Sequence, residues 1–273
     1  MTAAAEVRAL VHRFGRGTGA TPALDGVDVE VGPGELVSVV GPSGCGKSTL
    51  LKVLAGLVVP TSGHACIGGH DVVGRPGRAA YMPQRDLLLP WRRAMDNATL
   101  GGELDGLTRT QARALAAPLF ERFGLEGFER AWPNELSGGM RQRLALLRTF
   151  LLRREVVLLD EPFGALDAIT RRQMVDWLQD VWLADGRSLL FVTHDVEEAL
   201  LLADRVVVLS ARPGQVREVV PVPFPRPRAA HLVTERAFVA RRRTVMDALG
   251  PAPGEGSRGV GVESVRDDGG LEG

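Results

Sequence analysis

Residues 36–49 constrain this chain more than any other stretch. Leu36–Val40 is an almost wholly apolar run, and Gly41, Pro42, Ser43, Gly44, Cys45, Gly46, Lys47, Ser48 and Thr49 follow it directly. Glycines at this spacing let the backbone wrap an anion with several N–H groups turned inward. The pattern works only where a buried strand feeds a helix through the loop. The helix N-terminus adds a partial positive charge. The spacing therefore predicts a strand over 36–40, a helix over 48–56 and a nucleotide triphosphate held between them. Gly41, Pro42, Ser43, Gly44, Cys45 and Gly46 would line the phosphates. Lys47 would reach the β- and γ-phosphates, Ser48 would ligate Mg²⁺ and Thr49 would support the α/β-phosphate region.

Buried strands alternating with helices surround that unit. Val156–Leu159 and Ser188–Val192 are short apolar runs, and helical patterns over 140–153, 170–183 and 197–203 separate them, with a further strand over 206–210. This predicts an α/β fold with a mostly parallel central sheet, the RecA-like architecture of a P-loop NTPase. Strands over 7–14 and 27–31 alternate as half-buried strands do. The second joins 36–40 through the Pro33-Gly34 turn, which suggests a small antiparallel β-subdomain built from those two neighbours. From 95 to 131 the pattern is helical and reads as an inserted α-helical subdomain. Pro221–Pro227, with four prolines, cannot be a helix or a central strand and reads as a connector to a terminal helix over 232–249. The expected domain layout is a nucleotide-hydrolysing domain over 5–220 with the helical insertion at about 90–150, the connector and helix over 221–249, and a Gly-rich, disordered tail over 250–273. No internal repeat is visible, so one cassette is expected.

Composition narrows the setting. Formal net charge is +0, so no global field draws the chain to nucleic acid, and none is expected as a partner. Of the 33 basic residues only Lys47 and Lys52 are lysine. Two cysteines in no disulfide-like pattern suggest a reducing compartment. No secretory signal is visible, and no apolar run approaches the roughly 20 residues needed to cross a bilayer. Any service to a membrane would go through a partner.

Two further motifs carry chemistry. Asp160 and Glu161 end the run Val156–Leu159, and acidic residues at the carboxyl end of a parallel strand face the ligand crevice. Asp160 would hold Mg²⁺, usually through water, and Glu161 is the candidate general base. Leu136, Ser137, Gly138, Gly139, Met140, Arg141 and Gln142 open another helix, whose N-terminus is a second anion site. Two such helix ends far apart on one fold cannot share a γ-phosphate. A head-to-tail dimer, with Ser137 and Gly139 capping the nucleotide of the other subunit, is the simplest solution.

The order phosphate loop, Leu-Ser-Gly-Gly run, acidic strand end resembles the ATP-binding cassette (ABC) ATPases across roughly residues 5–215. The resemblance implies ATP and Mg²⁺ as cofactors and assigns further residues. Phe14 matches the aromatic that stacks on adenine. Gln84 matches the glutamine that senses Mg²⁺ and the attacking water. Asp167, in Gly164–Asp167, matches the loop that communicates across the dimer. His194, in Thr193-His194-Asp195, matches the switch histidine on the γ-phosphate. With Glu161, Gln84 and His194 form the expected catalytic set; Ser48, Gln84 and Asp160 form the metal set. Ser137, Gly138 and Gly139 complete the nucleotide set.

The stretch Gln84–Trp91, with Glu161–Asp167 and Thr193–Ala199, looks like the importer ATPases for nitrate, sulfonates, taurine and thiamine precursors. This implies an ATPase at the cytoplasmic face of a membrane, bound to permease subunits and served by an extracytoplasmic binding protein. The C-terminal regulatory domain of sugar-importer ATPases is expected to be absent. The alternative is a soluble, non-transport ABC ATPase, such as one for iron–sulfur cluster assembly. Chromosome-type members need a long coiled coil between phosphate loop and signature, and the stretch from Thr49 to Ser137 shows no heptads. Leu146–Thr149 departs from the usual pattern and is expected to matter only for packing. Arg85, Arg92 and Arg93 lie near the presumed permease surface. Cys45 invites a redox reading, and Arg241–Arg243 reads as a solvated helix face.

Overall fold

The computed structural model describes residues 2–15, 17–164 and 166–250; the expected tail beyond Gly250 lies outside the described residues. β1 (Ala5–Phe14) and β2 (Thr21–Val31) pair antiparallel, and β3 (Leu36–Val40) leads to α1 (Lys47–Leu54). β4 (Ser62–Ile67) and β5 (His70–Asp71) extend the β1–β2 sheet, and β6 (Ala79–Met82) leaves it for the other sheet. The helical stretch is broken into α2 (Ala94–Ala98), α3 (Leu100–Leu104) and α4 (Arg109–Arg122). Then come α5 (Gly138–Leu151), β7 (Val156–Asp160), α6 (Ala168–Asp185), β8 (Ser188–Val192), α7 (Val196–Leu202), β9 (Arg205–Leu209), β10 (Val216–Pro221) and α8 (Arg236–Leu249).

The strands form two sheets, ordered β2-β1-β4-β5 and β10-β9-β3-β8-β7-β6. The second is parallel from β9 through β6, with β10 antiparallel at its edge. Every residue of β3, β7 and β8 is buried. Strand side chains alternate between faces, so each strand feeds two cores. Leu36, Val157, Leu189 and Val206 pack toward the helices α2–α8, and Val37, Val156, Leu190 and Val207 pack toward α1 and the antiparallel sheet.

One expectation needs correction. β2 and β3 are joined by the Pro33-Gly34 turn but do not pair with each other. β2 pairs with β1, and β3 lies between β8 and β9 in the parallel sheet. The cause is the pattern within β3: a strand without alternation, apolar but for Ser38, is unsuited to a sheet with one wet face and belongs at the centre of the covered sheet. The terminal helix is also shorter than expected, because a 3-10 turn at Ala230–Thr234 precedes it.

Register brings the loops together. Val192 is the partner of both Val39 on β3 and Asp160 on β7, and Met82 on β6 faces Leu159. The chain therefore leaves β6, β7, β8 and β3 side by side at their carboxyl ends, where parallel sheets bind ligands.

Candidate active site

The phosphate loop begins where β3 ends. Gly46, the residue before α1, has φ +102°, and a Cβ there would stand 2.5 Å from Leu24 Cδ2. Only glycine fits both the backbone and the space. Lys47 is buried, and its Nζ donates to the carbonyls of Gly41 at 2.7 Å and Pro42 at 3.1 Å. The ammonium thus braces the loop from within. Phe14, Ser43, Gly44, Gly46, Lys47, Ser48, Thr49, Gln84 and Glu161 line one cavity of about 410 Å³, joined by Ala23 and Arg212. Phe14 is half exposed at its rim, edge-on to His12 at 4.6 Å between ring centroids.

Ser48 Oγ donates to Asp160 Oδ1 at 2.8 Å, and Tyr81 donates to Asp160 Oδ2 at 3.3 Å. Burial pushes the Asp160 carboxyl up, and these two donors pull it back. A hydroxyl and a carboxylate side by side, with Gln84 on the same cavity wall, suit a hard cation that prefers oxygen ligands. Mg²⁺ needs only one or two such side chains beside phosphate oxygens, so the donor set fits it.

Glu161 adopts φ +45°, a strained conformation for a non-glycine residue. Its N–H is held by the Val192 carbonyl at 2.9 Å. Gln84 Nε2 donates to Glu161 Oε2 at 3.4 Å, and His194 Nδ1 lies 3.2 Å from the same oxygen. Lys47 Nζ is 4.0 Å from Glu161 Oε1. One carboxylate thus gathers residues from three other loops.

The remaining predicted residues form a second patch. Ser137 caps α5, its Oγ accepting from Met140 N–H at 3.2 Å. Asp167 caps α6, accepting from the N–H groups of Ile169 and Thr170 at 3.1 and 3.0 Å. The Thr170 side chain, and with it these backbone N–H groups, holds its carboxyl below the usual range. A Cβ on Gly139 would meet Thr170 Cγ2 at 3.1 Å, so the two helix starts abut. None of Ser137, Gly138, Gly139 or Asp167 lines the phosphate cavity.

Several participants escaped sequence reasoning. Tyr81 holds Asp160 from the neighbouring strand. Arg148, expected to matter only for packing, donates to the carbonyls of Leu87 at 2.8 Å and Asp86 at 2.5 Å. Arg141 pairs with Asp86 at 3.4 Å, so α5 grips the Gln84 loop at two points. An arginine set between Leu144–Leu147 and Phe150 on one helix was the available signal. Cys45 is fully buried, and burial pushes its thiol up, which leaves no reactive thiolate.

A parallel sheet with a strand–loop–helix phosphate site and a glutamate poised beside it defines a P-loop ATPase. Residues 24–164 match the family described as ABC transporter. An uncharacterised ABC transporter ATP-binding protein of Methanocaldococcus jannaschii is 43% identical over 227 residues, 83% of this chain and 84% of that one. The taurine import ATP-binding protein TauB of Chromobacterium violaceum is 45% identical over 207 residues, 76% of this chain and 79% of its own length. Among solved structures, a dimeric bacterial ABC transporter cassette superposes with TM-score 0.72 and 27% identity, covering 81% of this chain and all of that one. The chain belongs to the ABC transporter family, as an ATP-binding, ATP-hydrolysing subunit.

Proposed function

We propose that this chain is the ATPase of a multi-subunit importer for a small solute of the sulfonate, taurine, nitrate or thiamine-precursor type. The observation that carries the hydrolytic part is the convergence of Gln84, His194 and Lys47 on Glu161 at the mouth of the phosphate cavity. The loop N–H groups and Lys47 bind the phosphates, and Phe14 offers a face to the adenine. Glu161 takes a proton from the attacking water, which Gln84 and His194 orient. Mg²⁺, held by Ser48 and Asp160 with Gln84 beside them, would neutralise charge on the terminal phosphates. Phosphoryl transfer needs positioning and charge neutralisation more than covalent help.

Ser137, Gly138, Gly139 and Asp167 stand apart from this cavity, which supports a head-to-tail homodimer in which each patch serves the other protomer's nucleotide. The importer assignment is supported by the taurine import relatives and by a second cavity of about 670 Å³. Its wall includes Gln84, Arg85, Leu57, Leu87 and Leu104, and the three leucines are exposed. Permease subunits would dock there, holding the chain at the cytoplasmic face of a membrane, with an extracytoplasmic binding protein supplying the solute. Among the described residues no helix is long and apolar enough to cross a membrane. Residues 5–220 would act as the ATPase domain, with the connector and α8 packed against it.

Glu161→Gln tests this reading. The variant should bind ATP, lose at least about a hundredfold in turnover and accumulate as a dimer by light scattering. Normal turnover would remove Glu161 from the chemistry. Stimulation by a cluster-assembly scaffold rather than by a permease would overturn the importer assignment.

A further inference from the structure

Behind His194 lies a buried polar chain with no part in holding nucleotide. Glu198, on the first turn of α7, is only 6% exposed. Its Oε2 accepts from Thr193 Oγ1 at 2.5 Å, and that hydroxyl accepts from the Asp195 N–H at 3.0 Å. The hydrogen bonds flank His194 on both sides. The other carboxylate oxygen, Oε1, faces Arg171 Nε on α6 at 3.6 Å. That nitrogen is buried without a hydrogen-bond partner among the described residues. Arg171 also donates through Nη2 to the carbonyl of Leu166 at 2.9 Å, one residue before Asp167, and its Nη1 lies 4.0 Å from Asp195 Oδ2. One guanidinium therefore touches both the Asp167 loop and the His194 loop.

As a device for stability this arrangement is poor. A buried ion pair seldom outperforms apolar packing of the same volume, and a buried donor left unmet is costly. Burial also pushes the Glu198 carboxyl up to about 7. A gap of 3.6 Å is close to, but beyond, the length of a charge-assisted hydrogen bond. A shift of less than about 1 Å would close it.

We propose that Arg171 and Glu198 are positioning residues. The pair carries the position of the Asp167 loop through Thr193 to His194 and so sets the imidazole against Glu161. This rests on the hydrolytic roles given to Glu161 and His194 above. Movement of Asp167 on meeting a second protomer would pull Leu166 and Arg171 together, and the His194 loop with them.

The test uses the full-length, nucleotide-free protein with isotope-labelled histidine, and the ring resonances of its five histidines. Arg171→Met and Glu198→Gln should each move the His194 signals, the double variant should move them no further, and the other four should stay. Turnover should fall about ten- to a hundredfold with KM for ATP little changed, and Arg171→Lys should recover part of it. Thr193→Val, which removes one hydroxyl, provides the same readouts where an Arg171 variant fails to fold. Unmoved His194 signals, or additive effects in the double variant, overturn the proposal. So does a displaced ring with normal turnover while His194→Ala is inactive. If His194→Ala itself hydrolyses ATP normally, the hydrolytic reading falls, and the ring signals still decide whether the pair positions it.

Discussion

At the scale of single residues, Glu161 and Glu198 show how environment divides like side chains. Glu161 sits at a strained strand end with three polar neighbours aimed at it. Glu198 is walled in, and burial raises its carboxyl from 4.5 to about 7, Thr193, Arg171 and His194 offsetting part of the effect and Asp195 adding to it. The folded state then binds this proton more tightly than the unfolded chain. The stability tied to it is present below about pH 4.5 and lost as pH rises through about 7. The difference is on the order of 3 kcal/mol at 1.36 kcal/mol per pKa unit. We expect the melting temperature to decline between about pH 5 and about pH 8, and Glu198→Gln to flatten that decline. An unaltered slope would show that Glu198 titrates as it does in the unfolded chain. The phosphate-loop residues were legible because their spacing is local. Tyr81, Arg148 and Arg171 were not, since each acts on a group distant in sequence.

Among elements, the fully buried, largely apolar strands were the most readable. Leu36–Val40 and Ser188–Val192 have the bounds their composition suggests. β10 was not anticipated, because Val216–Pro221 mixes charge with valine and pairs only along one edge. The connector after it is fixed by an interaction no pattern announces. Arg228 is buried and donates to the carbonyls of Leu200 at 2.9 Å and Ala203 at 2.6 Å, at the end of α7, and to those of Val222 and Phe224 at 3.1 Å each. Helix ends leave carbonyls without partners, and this guanidinium supplies them while tying down the connector. Arg228→Ala should cost about 3 kcal/mol in urea unfolding by stranding those carbonyls. Arg228→Lys should recover little, because a single ammonium cannot span them. A loss under about 0.5 kcal/mol would mean that water reaches the site.

For the whole molecule, the decisive fact is that the candidate site falls into two separated patches. If each patch serves the other protomer, two dead variants should complement each other. Lys47→Ala keeps an intact Ser137, and Ser137→Ala keeps an intact Lys47, so their mixture contains heterodimers with one complete site. We expect each variant alone to be inactive and the mixture to recover part of the wild-type turnover, rising with the proportion of heterodimer. No recovery in a mixture shown to contain heterodimers would mean that each chain works with its own signature residues.

The placement of β3 also has a mechanical meaning. Like β7, β8 and β9, it sends side chains into both cores, and β8 and β9 flank it on either side. Bending it would loosen two close-packed interiors at once, and such interiors resist compression. The phosphate loop is therefore mounted on a stiff member of the frame. Force arising at the nucleotide finds no give on that side and is passed outward, to the helices and loops at the rim of the sheet.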